Sequence, residues 1–225
     1  RIIGATAMLT EDKGKLWLAK HGIAVPRGRA VSGPQVCGAA KEVGYPVALK
    51  MMSPQLAHKT DAGAVVLNLA GSHALSAATV QMSTDVKAYN LQAVSDLFLV
   101  EEMSPPPLAE LVVTLRRDPH FGAALVLGSG GILVELVGDV VTLLLPASPL
   151  DIVDALQSLR VAGLLSGFRG RMKADMNKIA DQIHHLCRAF IEDGADVAEI
   201  EINPLFVYPD HICAVDVLMQ QAVDA

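Results

Sequence analysis

Glu199-Ile200-Glu201-Ile202-Asn203-Pro204 is the stretch that decides how this chain is read. Side chains alternate along a strand, so Glu199, Glu201 and Asn203 share one face while Ile200 and Ile202 turn into a core. The run continues into Tyr208-Pro209-Asp210-His211, a turn-forming segment, and then into the apolar Ile212 to Leu218. With two or four loop residues the paired positions sum to 419, which sets Asn203 directly opposite Asp216. Opposed Cβ atoms lie only about 4.5–5.5 Å apart. A three-residue loop would slip the register by one and point Asp216 the other way. In the first register hard oxygen donors converge from two strands, a set that suits Mg²⁺ completed by waters and phosphate oxygens. The alternative is an amphipathic strand whose acidic face meets solvent.

Working outward, the segments before and after this hairpin alternate between helical and strand patterns. Thr10 can cap a helix that Gly22 stops, with Leu16, Leu18 and Ala19 on its apolar side. A short helix over 34–43 ends at Gly44, and Pro46 to Met51 reads as a strand. A polar loop, Ser53 to Gly63, leads to a strand over 64–69, a helix over 72–90 and a strand over 97–103. Pro105-Pro106-Pro107 then divides the chain. Beyond it come strand-like runs at 110–116 and 123–127, Gly128-Ser129-Gly130-Gly131, and a hairpin turning at Gly138-Asp139. Helices follow over 150–159 and 175–191, the second with Met176, Ile179, Ile183, Leu186, Cys187 and Phe190 at helical spacing. Hairpins mixed with helices around a proline-rich joint predict an α+β protein of two lobes with a cleft between them.

Composition narrows the function. The chain has 225 residues, 52% of them apolar, and 18 Lys/Arg against 24 Asp/Glu leave a net charge of −6. That is a folded, mildly acidic domain large enough to bury a core without disulfides. Without a Lys/Arg block, neither nucleic acid nor an anionic membrane surface is expected as a partner. The most apolar run, Ile132 to Ala147, is interrupted by Glu135 and Asp139 and is too short to span a bilayer. Three cysteines, far apart and without a CxxC pair, read as reduced core thiols of a cytoplasmic protein. The chain starts at Arg1 with no signal-peptide pattern, and the expectation is that it is trimmed from something longer.

Other candidates carry less local information. Lys50 shares a strand face with Ala48 while Val47, Leu49 and Met51 face the core, so it can act as a phosphate-binding charge or end in solvent. Gly128-Ser129-Gly130-Gly131 lacks the Gly-Lys-Ser/Thr ending of a P-loop, and by itself reads as a turn. Arg169-Gly170-Arg171 is an anion-site candidate. His58 sits in the polar loop His58-Lys59-Thr60-Asp61, and no nucleophile elbow supports serine-hydrolase chemistry.

Taken in order, these segments resemble the ATP-grasp domain of the ADP-forming (NDP-forming) acyl-CoA synthetases, relatives of the succinyl-CoA synthetase β subunit. The resemblance runs over nearly the whole chain. It rests on Leu9-Thr10-Glu11, Gly22-Ile23-Ala24-Val25-Pro26, Gly44 to Lys50, Ser53 to Asp61, Arg117-Asp118-Pro119-His120-Phe121-Gly122, Gly128 to Leu136, Leu164 to Gly170 and Glu199 to Leu205.

That resemblance implies an ATP-grasp fold of two α/β lobes, about 1–103 and 104–225, with ATP or ADP and Mg²⁺ held between them. Lys50 would contact phosphate and adenine, Glu101, Glu102 and Met103 would form the hinge at the adenine edge, and Glu110 would lie near the ribose. Asn203 and Asp216 would ligate Mg²⁺ with Glu201 close by, and His58 would relay a phosphoryl group. The implied reaction makes acyl-CoA, ADP and phosphate from a carboxylic acid, CoA and ATP. It requires a CoA-binding and ligase partner that this chain lacks, and the full enzyme is expected to be oligomeric. Ala64 and Ala123 depart from the family's Gly and Pro. The alternative is a regulatory ATP-grasp-like domain of a protein acetyltransferase that does not turn over ATP.

Overall fold

The computed structural model describes residues 5–130, 138–167, 170 and 172–223. Gly131, the 132–137 part of the apolar run, Arg169 and Arg171 lie outside the described residues. The chain forms two compact units, Pro26–Pro105 and a second made of residues 1–25 together with Pro106–Ala225.

The first unit is a four-stranded antiparallel sheet with helices on one face. Its elements are β2 (Gly28–Ser32), α2 (Val36–Val43), β3 (Val47–Met51), β4 (Val65–Leu69), α3 (Ser72–Tyr89) and β5 (Leu97–Glu102), with sheet order β2-β5-β3-β4. In α2 the residues Val36, Ala39, Ala40 and Val43 recur at helical spacing and are buried. They pack with Leu75, Met82 and Val86 of α3 against Val47, Leu49, Met51, Phe98 and Val100 of the sheet. Each buried Val, Leu, Met or Phe among them contributes roughly 1.5–3 kcal/mol through removal from water. Gly44, at φ +97°, ends α2 in a conformation that a side chain would strain.

The second unit is built on a larger sheet. It contains β1 (Thr6–Met8), α1 (Glu11–Lys20), β6 (Ala109–Asp118), β7 (Gly122–Ser129), β8 (Val140–Leu144), α4 (Pro149–Ser158), α5 (Ala162–Leu165) and α6 (Met176–Glu192). The chain then adds β9 (Val197–Val207), β10 (Ile212–Ala214) and β11 (Val217–Ala222). The order is β1-β11-β9-β6-β7-β8, with β10 also on β9. Leu111, Val113, Leu115, Ile200, Ile202 and Leu205 line one face of the sheet and pack in one core with Ile152 and Leu156 of α4 and Ile179, Ile183, Leu186 and Phe190 of α6. Ser148 and Asp151 form a capping box that starts α4, and the Asp175 carboxylate accepts from Lys178 N at 3.2 Å to start α6. All three cysteines are free thiols, and burial pushes Cys187 up to about 12.

Two expectations are corrected here. The first 25 residues do not belong with the lobe that follows them, because β1 pairs with β11, Leu18 and Ile23 join the second core, and Ala24 bridges Cys213. The buried side of α1 is also different. Leu16 is 72% exposed, and the inward positions are Glu11, Gly14, Lys15 and Leu18. Glu11 and Lys15 form an ion pair at 2.8 Å one turn apart, and Gly14 lets the helix approach Val217, whose Cγ1 would be 3.0 Å from an added Cβ.

Candidate functional site

The hairpin at the end of the chain folds in the register that sums to 419. Val207 pairs with Ile212, Leu205 with Ala214 and Ile202 with Val217, and Tyr208 N donates to His211 O at 2.9 Å across the turn. Between β10 and β11, Asn203 N donates to Asp216 O at 3.1 Å and Val215 N to Pro204 O at 3.2 Å. Asn203 and Asp216 are therefore opposed, and neither is buried. Ile200 and Ile202 are in the core, so Glu199, Glu201 and Asn203 share the outward face, with Thr114 of β6 beside Glu201 and Arg116 beside Glu199. Glu110, also on β6, pairs with Phe206 and is half-buried. Burial, then the adjacent Glu201 charge, raises the Glu199 carboxyl above the usual range, while Arg116 opposes the shift.

These are hard oxygen donors. Among the described residues no cluster of three or more His, Cys, Asp or Glu forms a ready-made metal cage. A set of one amide oxygen and one or two carboxylates fits Mg²⁺, which takes few protein ligands and completes its octahedron with phosphates and waters.

In the first unit Lys50 is not a solvated strand end. Its Nζ lies 3.1 Å from Glu101 Oε2, with the two side chains 4% and 3% exposed. Lys50 and Glu101 stand on adjacent strands, and neither belongs to the helix-covered core, as alternation requires. Glu102 is turned differently. Its carboxylate accepts from Arg27 N at 3.0 Å and pairs with the Arg27 guanidinium at 3.2 Å, and its own N donates to Arg27 O at 2.9 Å. Glu101 and Glu102 thus spend their main chain in the ladder, and Met103 is the first residue beyond it.

His58 is exposed on its loop, whereas Lys59 is 8% exposed. Lys59 is therefore not a solvated loop charge beside the histidine. The loop is fixed from beneath by Leu56, Ala62 and Ala64, all in the core, and by Ala64 N to Lys59 O at 2.8 Å. Only Gly63 in this loop has a positive φ, at +65°, so Ala64 introduces no backbone strain.

Sequence reasoning missed the roles of two shared motifs. Arg117 donates to Phe190 O at 2.8 Å, Gly194 O at 3.0 Å and Val197 O at 3.1 Å, and its guanidinium carbon lies 4.6 Å from the centre of the Phe190 ring. It ties off the carboxyl end of α6 and the start of β9. The Asp118 side chain accepts from His120 N at 2.8 Å and Phe121 N at 3.0 Å, which shapes the β6–β7 turn and lowers its carboxyl from the ordinary range. Gly130 lies so close to β6 that a Cβ would sit 2.7 Å from the Glu110 carbonyl carbon and 2.8 Å from Leu111 N. The glycine run is thus required by strand packing at that position. A groove of about 520 Å³ lined by Thr79, Val80, Ser83, Thr84, Lys87 and Phe98 contains none of the residues named from sequence.

Comparison with known proteins extends this geometry. Residues 4–220 match the ATP-grasp domain family. The chain is 33% identical over 207 residues to the β subunit of acetate–CoA ligase [ADP-forming] II of Pyrococcus furiosus, covering 91% of this chain and 86% of that one. It is 33% identical over 200 residues to 4-hydroxybutyrate–CoA ligase [ADP-forming] of Nitrosopumilus maritimus, where it spans 88% of this chain but only 28% of the relative.

Among solved structures, the dinucleotide-forming acetyl-coenzyme A synthetase 1 of Ca. Korarchaeum cryptofilum superposes with a TM-score of 0.88 at 33% identity, over 96% of this chain and 93% of that one. That structure is a complex with coenzyme A, Ca-AMPCP and HgCl⁺. A second structure of that enzyme, with coenzyme A and Mg-AMPPCP and its phosphohistidine segment pointing towards the nucleotide-binding site, gives 0.79 at 32% identity, with the same coverage. These relatives are CoA ligases, and the acetyltransferase alternative draws no support from them. With residues 4–220 matched by the family and relatives of 33% identity matched over most of their own length, this chain belongs to the ATP-grasp domain family, on the branch of the ADP-forming CoA ligases.

Proposed function

We propose that this chain is the nucleotide-binding and phosphoryl-transferring part of an ADP-forming acyl-CoA synthetase, acting with a separate CoA-binding and ligase portion. The observation that carries the reading is the Asn203–Asp216 opposition, with Asn203 N to Asp216 O at 3.1 Å, in a chain matched to this family over residues 4–220. Asp216, Asn203 and Glu201 would hold Mg²⁺, which when bound offsets charge between the nucleotide phosphates. Lys50 supplies a fixed positive charge for the phosphates, Met103 offers the first main-chain groups past the β5 ladder to the adenine edge, and Glu110 serves the ribose.

His58 acts as the phosphoryl carrier. A neutral imidazole nitrogen attacks the γ-phosphorus of ATP, the bond to the bridging β–γ oxygen breaks, and ADP leaves with that electron pair. The phosphoryl group then passes to the carboxylic acid at the partner's site, and CoA displaces phosphate from the resulting acyl phosphate. The loop from Ser53 to Gly63 spans at most roughly 36 Å when extended, so its middle residue moves no further than about 18 Å from its anchors. A partner site beyond that distance requires motion of a whole domain.

The decisive experiment is titration calorimetry with Mg·ADP on the wild-type chain and on Asp216→Ala. Wild-type binding should depend on Mg²⁺, and the variant should lose that dependence while keeping its circular dichroism. Unaltered Mg-dependent binding in Asp216→Ala would sink the assignment. The chain alone should form no acyl-CoA, and addition of the complementary subunit should restore turnover.

A further inference from the structure

Lys50 and Glu101 form a buried pair whose geometry depends on a third residue, Gly28. Glu101 lies in the centre of its sheet, paired with Ala48 of β3 on one side and Gly28 of β2 on the other. Lys50 is two places along β3 from Ala48, so its ammonium reaches the carboxylate on the diagonal of the same face, at 3.1 Å. Directly paired residues point to the same face, and a side chain at position 28 would therefore compete with Glu101 for that space. A Cβ there would sit 2.7 Å from Glu101 Cγ and 2.8 Å from Val100 O. Gly28 does not have a left-handed φ, so what it supplies is room. The space is taken by the Glu101 side chain, whose Cγ lies where that Cβ would crowd it.

We propose that Gly28 and Glu101 are positioning residues for Lys50: the missing side chain at 28 lets the Glu101 carboxylate lie along the sheet face and fix the ammonium where an anionic ligand meets it. Resting on the nucleotide-binding reading, that ligand is the phosphate of an adenine nucleotide. The pair also keeps a buried charge compensated before the nucleotide arrives, since an ammonium buried without a counter-charge is strongly unfavourable. Replacing Glu101 by Gln keeps the shape and removes that charge. Replacing Gly28 by Ala keeps both charges and displaces the carboxylate.

The test is a double-mutant cycle read by calorimetry with Mg·ADP on the 225-residue chain, comparing Glu101→Gln, Gly28→Ala, Lys50→Met and the two doubles with Lys50→Met. Glu101→Gln should weaken binding about tenfold and Gly28→Ala several-fold, and each should cost less than about twofold in the Lys50→Met background, because residues acting through one group are not additive. Equal losses in both backgrounds, or wild-type affinity in Glu101→Gln, would overturn the proposal. A second readout is independent of nucleotide: trace acetylation of each lysine, quantified by mass spectrometry. Lys50 alone should change its rate by threefold or more in the two single variants, and unchanged labelling overturns the positioning role. If the wild-type chain binds no Mg·ADP, the nucleotide reading fails while the labelling still judges Gly28 and Glu101. Should Gly28→Ala not fold, the near-isosteric Glu101→Gln carries the cycle.

Discussion

Arg117→Ala should destabilise the second unit without touching nucleotide affinity. Arg117 makes three hydrogen bonds of 2.8–3.1 Å to the carbonyls of Phe190, Gly194 and Val197. Hydrogen bonds from a charged donor are worth about 1.5–3 kcal/mol when well buried. Arg117 is only half-buried, and water replaces part of what is lost, so about 1 kcal/mol each is a fair scale. The guanidinium over Phe190, 4.6 Å from its ring centre, adds about 0.5–1 kcal/mol. The total is about 3–4 kcal/mol, equivalent to about 10 °C in Tm for a unit of this size. Trp17 is the single tryptophan and packs against the same core, so urea unfolding followed by its fluorescence reports on this unit. Arg117→Lys should recover only a part, because one ammonium cannot reach three carbonyls in the geometry of a guanidinium fork. A loss below about 1 kcal/mol in Arg117→Ala, or a fall in Mg·ADP affinity without a change in stability, would refute the reasoning.

The other predictions concern single residues. Glu199→Gln should stabilise the fold at neutral pH. The folded state holds the Glu199 proton above its ordinary range, so stability falls as pH rises from the unfolded value through the folded one; the advantage of Gln should vanish below the ordinary Glu range, as urea midpoints across pH 4–8 will show. Gly130→Ala should cost about 2 kcal/mol or more, since the contact is backbone against backbone and β6 must move, and wild-type stability would contradict the close approach. His58→Ala should leave the fold intact and abolish the acid-labile, alkali-stable label taken up from γ-labelled ATP; retention of that label would remove His58 as the carrier.

Sequence alone determined the elements whose patterns are local. Alternation in Glu199 to Asn203 and the turn at 208–211 narrowed the hairpin to two registers, because an antiparallel hairpin is set by its own loop length, and the folded chain takes the 419 register that opposes Asn203 and Asp216. The helical spacing over 176–190 likewise announced the buried face of α6. Tertiary structure decided what depends on distant partners. β2, with Gly28, Arg29 and Ala30 exposed, has no alternating pattern and exists only because β5 pairs with it. The first 25 residues join a sheet whose other strands lie more than 80 positions away, and in α1 the buried Glu11–Lys15 pair joins Leu18 on the inward side where Leu16 and Ala19 were expected. Lys50 was legible as a charge on a strand, but its carboxylate partner and the glycine that makes room for it lie on two other strands. Arg117 and Gly130 were visible as motif letters only, since a carbonyl to accept from and a backbone to approach are properties of the assembled sheet and helices.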